Sequence, residues 1–64
     1  MADDAFFALR SRAYDLADSG RYKSWAEVAQ ALNAEGSAPA LVTRLASDAQ
    51  AVMMITRCCT QARA

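Results

Sequence analysis

Two glycines and one proline divide the chain into helix-sized pieces. Gly20, Gly36 and Pro39 stand between stretches whose apolar residues recur every three or four positions. That spacing belongs to amphipathic helices, and glycine and proline are the usual punctuation between them. A chain of 64 residues cut in this way holds three or four short helices and one domain, residues 1–64. Alanine, the strongest helix former, is its commonest residue, and no segment alternates in the manner of a strand. The expected fold is therefore all-α, a small bundle with helices at about 3–18, 25–34, 39–46 and 48–62. A domain of this size has a stability of only about 3–5 kcal/mol from its core. It has little volume for a deep substrate cavity.

Local signals set the boundaries. Asp3 or Asp4 is placed to cap the first helix, in which Phe6, Leu9, Ala13, Leu16 and Ala17 share one face. Phe7 and Tyr14 widen that face, and Ser11, Asp15 and Asp18 lie opposite. Gly20 suits the left-handed position that ends a helix. Ser24-Trp25-Ala26-Glu27 is a capping box for the second helix, whose stripe is Trp25, Val28, Ala29 and Leu32. Gly36 closes it, and Pro39 opens a third helix capped by Ser37 or Ala38, with Leu41, Val42 and Leu45 apolar.

Ser47-Asp48-Ala49-Gln50 has the form of a second capping box and predicts a break. Its rival is one continuous helix from Pro39 to near Ala62. In the last helix Val52, Ile55 and Cys59 form the inner line, with Thr56 and Ala62 beside it. Met54 falls on the far side with Gln50, Arg57 and Gln61, and Met53 at the border. The expected core is Phe6, Leu9, Leu16, Trp25, Val28, Leu32, Leu41, Leu45, Val52, Ile55 and Cys59.

Composition removes several classes of chemistry. The chain has no histidine, so it lacks the commonest general base and a common metal ligand. Its only cysteines, Cys58 and Cys59, are adjacent and do not make a disulfide framework, and the expected role is core packing. The carboxylates are scattered, and several have capping roles. No catalytic residue, metal site or cofactor is expected, and no small-molecule substrate. Seven basic side chains balance seven acidic ones, which gives no electrostatic prompt towards nucleic acid or an acidic membrane surface. The opening Met-Ala-Asp-Asp lacks the basic region of a secretory signal, and the apolar run 51–55 is too short to span a bilayer. A reducing cytoplasm is the expected location.

The stretch 24–48 resembles a helix-turn-helix. "SWAEVAQALNAEG" is similar to the first helix and turn of many such motifs, and "ALNAEG" to a segment of recombinase DNA-binding regions. The resemblance implies a reading helix over 39–45, with Thr43, Arg44 and Ser47 as polar readers. Arg21 and Lys23 would join Arg44 on one basic face. Two departures stand out. With Gly36 as the turn glycine, Glu35 occupies a position that is usually apolar. With Asn33 in that role, Pro39 falls inside the reading helix. The segment "SGRYKSWAEVAQAL" also resembles a pattern, SGxYxSWxxVxxxL, of short proteobacterial proteins of unknown function. It implies two helices flanking the turn.

Met53 and Met54 carry the leading functional expectation. Successive helical residues point about 100° apart, so both cannot face one core. Methionine recurs at adaptable binding surfaces. Together with Phe7 the pair predicts a non-enzymatic protein-interaction module, its partner another protein or a second copy in a homodimer. The alternative is a small helix-turn-helix protein that binds DNA.

Overall fold

The computed structural model describes residues 2–63, with side chains described from Asp4 to Arg63. Four helices follow in order: α1 Ala2–Asp18, α2 Trp25–Ala34, α3 Pro39–Ala46 and α4 Ala49–Arg63. No strand occurs among the described residues, and the fold is the small all-α bundle that the spacing predicts. Helices α3 and α4 are separate. No helix is long and apolar enough to cross a membrane among the described residues.

The glycines act as expected. Gly20 and Gly36 have φ of +78° and +89°. At Gly36 the turn is a complete Schellman motif: its N–H donates to the Asn33 carbonyl and the Ser37 N–H to that of Leu32, each at 3.1 Å.

The caps differ in detail from the sequence pattern. Helix α1 begins at Ala2, so Asp3 and Asp4 lie inside its first turn rather than before it. The Asp4 carboxylate in that turn complements the helix dipole. Ser24 is the N-cap of α2, with extended backbone, but its hydroxyl makes no cap bond. Glu27 reaches one residue further back than a capping box requires and accepts the Lys23 N–H at 2.8 Å. The Trp25 N–H, an orphan donor of the first turn, donates to Thr56 Oγ1 of α4 at 3.3 Å. Ala38 precedes Pro39 as the N-cap of α3. Asp48, not Ser47, caps α4, accepting the Ala51 N–H at 3.2 Å. Ser47 ends α3 instead, its hydroxyl donating to the Thr43 carbonyl at 3.1 Å.

All four helices touch one another, and α1 and α4 share the most extensive contact. These two run side by side in the same direction. Arg10 and Tyr14 lie beside the start of α4, and Gly20 lies against Ala62 near its end. The core consists of Leu9, Ala13, Leu16 and Ala17 of α1, Val28 and Leu32 of α2, Val42 and Leu45 of α3, and Ala51, Ile55 and Cys59 of α4. Phe6, Trp25 and Leu41 are half-buried and pack against its edge.

The observed core departs from the expected one in both directions. Phe6, Trp25, Leu41 and Val52 are only half-buried, while Ala13, Ala17, Val42 and Ala51 are buried in addition. The inner line of α4 is therefore Ala51, Ile55 and Cys59, at i, i+4 and i+8. Ala13 and Ala17 are fully buried and Ala51 nearly so, and such small side chains let helix backbones approach closely.

Candidate interaction surface

Among the described residues, three large apolar side chains are left in solvent: Phe7 at 58% exposure, Met53 at 56% and Met54 at 40%. They are the three singled out by sequence, and they lie on the two helices that pack most closely, α1 and α4. Phe6 and Phe7 show how the choice is made. Their ring centroids are 6.1 Å apart and tilted by 58°. Phe6 turns towards the core and is covered by Arg44 of α3, whose guanidinium carbon sits 4.3 Å from the ring centroid. Phe7, 100° further round the helix, is left uncovered.

Between α1 and α4 runs a groove of about 230 Å³ lined by Arg10, Tyr14, Asp48, Gln50, Ala51 and Met54. The Arg10 guanidinium lies 5.4 Å from the Tyr14 ring centroid. Phe7 stands one turn before Arg10 on α1. Met54 borders the groove from α4, and Met53 points outward. Their order is the reverse of the sequence expectation, in which Met53 stood at the border and Met54 on the far side. The cause is the roll of α4: placing Ala51 inward, in place of Val52, turns Met54 towards α1 and Met53 away from the core. Sequence spacing alone gave no sign that Arg10 and Tyr14 would form the opposite wall.

The candidate nucleic-acid contacts are dispersed. Arg44 lies over Phe6, near the start of α1. Arg21 and Lys23 follow the end of α1, and Arg21 lines a shallow groove with Tyr22, Glu27 and Gln30. Phe6 and Ser19 are about 20 Å apart along α1 at 1.5 Å per residue. The three cations therefore do not cluster. Thr43 and Ser47 are exposed on α3 and just after it. Glu35, at the position where a helix-turn-helix is usually apolar, is held at the surface by Arg12. The Arg12 Nε and Nη2 donate to its two carboxylate oxygens at 3.1 and 2.7 Å. That bidentate bond holds the Glu35 carboxyl below the usual carboxylate range and pushes the guanidinium of Arg12 up.

Cys58 is half-buried and Cys59 buried, both as free thiols. Burial, reinforced by the neighbouring Cys58 and by Glu27, pushes the Cys59 thiol up, which keeps it protonated and a poor nucleophile. No group of three or more histidine, cysteine or carboxylate side chains is placed to hold a metal among the described residues. Comparison with family models, with curated proteins and with solved structures gives no match.

Proposed function

We propose that this chain is a non-enzymatic helical interaction module that pairs with protein, and first with a second copy of itself, through Phe7, Met53 and Met54. One observation carries the proposal: the three large exposed apolar side chains are concentrated on two adjacent helices instead of being scattered singly. Isolated exposed apolar residues are ordinary, whereas a shared patch marks a contact surface. A small core with only a few kcal/mol of stability gains from covering such a patch. Methionine suits the task because its flexible thioether adapts to a facing surface. Two free thiols accord with a reducing, cytoplasmic setting.

Sedimentation velocity over a wide concentration range tests the proposal. The expected result is a sedimentation coefficient that rises with concentration and stays at the monomer value when Met53 and Met54 are both changed to Gln. A wild-type chain that remains a monomer at the highest concentration overturns self-association.

A further inference from the structure

The charges beside the apolar patch define how two copies would meet. The outer line of α1 runs through Phe7, Ser11, Asp15 and Asp18, all exposed and spaced by four, four and three residues. The outer line of α4 runs through Met53, Arg57 and Thr60, also exposed. Asp15 and Asp18 make that side of α1 acidic, while α4 contains no carboxylate at all. Asp15, Asp18 and Arg57 make no ion pair within the protomer among the described residues. Of the cations on α1, Arg12 is held by Glu35 and Arg10 lies over Tyr14. Each outer line thus has an apolar end and a charged end, and the charges are opposite in sign.

The charged ends of these lines lie at similar heights. Helices α1 and α4 run in the same direction, with Arg10 and Tyr14 beside Asp48, Gln50, Ala51 and Met54 and Gly20 beside Ala62, so residues about 38–42 apart in sequence sit at similar levels. Asp15 and Asp18 then bracket the level of Arg57, and Phe7 lies about one to two helical turns before Met53 along the axis.

We infer that two copies associate about a two-fold axis parallel to α1 and α4, with α1 of each chain over α4 of the other. This arrangement rests on the self-association proposed above. A two-fold axis in that direction preserves levels and exchanges the two helices. It lays the acidic stretch of Asp15 and Asp18 across from the partner's Arg57 twice, and the apolar end of α1 at Phe7 towards the partner's Met53 twice. An axis perpendicular to the helices within the contact plane lays α1 on α1 and α4 on α4 instead. Carboxylates then face carboxylates and Arg57 faces the partner's Arg57, which like-charge repulsion disfavours.

Charge reversal distinguishes these arrangements. Asp15→Arg and Arg57→Asp are changes at exposed positions, and circular dichroism confirms that each variant is folded. Each variant alone is expected to weaken self-association roughly ten-fold, because two attractive contacts become repulsive. An equimolar mixture of the two variants restores association to about the wild-type level, since both contacts are attractive again, one with its signs exchanged and one as in the wild type. Lys23→Glu carries the same net charge as Arg57→Asp but keeps both contact residues, so it is expected to associate with itself as the wild type does and to leave the Asp15→Arg chain largely unpaired in an equimolar mixture.

Rescue by the paired mixture alone supports the arrangement. Failure of that mixture, or equal rescue by the Lys23→Glu control, overturns the pairing. If in that case the Met53→Gln/Met54→Gln variant still abolishes wild-type association, self-association through the patch survives. A monomeric wild-type chain overturns both proposals.

Discussion

The two glycine turns look alike in the sequence and do different work in the fold. Gly20 and Gly36 each follow a helix, and each adopts left-handed backbone. The Gly36 turn is self-contained. Its hydrogen bonds run back to Asn33 and Leu32 of the helix it ends, and a Cβ built on Gly36 would meet nothing within 4 Å. The Gly20 turn is a tertiary junction. A Cβ there would sit 3.2 Å from the Ala62 carbonyl oxygen of α4, and a few residues later the Trp25 N–H bonds to Thr56 of that same helix. A local rule finds both turns, but only the fold shows that the first also fastens α1 and α2 to α4.

The largest effect should come from testing that contrast directly. Gly20→Ala combines left-handed strain with a tight approach to backbone that cannot swing aside. The expected loss is about 2–3 kcal/mol, against about 1–2 kcal/mol for Gly36→Ala, where strain acts alone. For a domain this small, thermal unfolding should separate the two variants by at least about 4 °C. Equal melting temperatures would erase the distinction between a local and a tertiary turn.

A smaller effect is expected at Thr56. Thr56→Val keeps the shape and removes the acceptor for the Trp25 N–H, at a cost of about 1 kcal/mol, while Thr56→Ser retains the bond. Unfolding in urea measures both, and a loss in the serine variant as large as that in valine would show that the bond contributes nothing.

The smallest effect belongs to the far side of the Gly36 turn, where Arg12 and Glu35 pair in the open. Exposed pairs contribute little. Because Arg12 lowers the folded-state pKa of Glu35, the pair stabilises above the ordinary carboxylate range and fades as pH falls through the lowered value. Glu35→Gln should therefore lower the melting temperature slightly at neutral pH, by an amount that shrinks as pH falls through the lowered value and Glu35 becomes protonated. A difference that persists in acid would assign the effect to something other than the ion pair.

The surface patch was partly legible in the same way. Adjacent methionines on a helix cannot both be buried in a single core, so at least one of Met53 and Met54 had to face outward. Which one stood further out was not legible, because it depends on the roll of α4, and apolar spacing fits Val52 or Ala51 about equally well. The groove wall of Arg10 and Tyr14 was hidden for another reason: it exists only because α4 lies alongside α1. Arg44 read as the one basic residue of a reading helix, and only the arrival of α3 beside α1 placed it over Phe6.

The sequence by itself determined where helices start and stop, since glycine, proline and capping side chains act within one turn of where they stand. It also determined that too many large apolar residues lie on α1 and α4 for one side of each to bury. Tertiary structure decided the rest: that Ala51 faces inward, that Phe6 is covered and Phe7 exposed, and that Arg10 and Tyr14 lie alongside the start of α4. Those outcomes depend on the rotation and height of one helix against another. Both are set by how closely side chains such as Ala13, Ala17 and Ala51 allow the backbones to approach, a property of the pair and not of either helix alone.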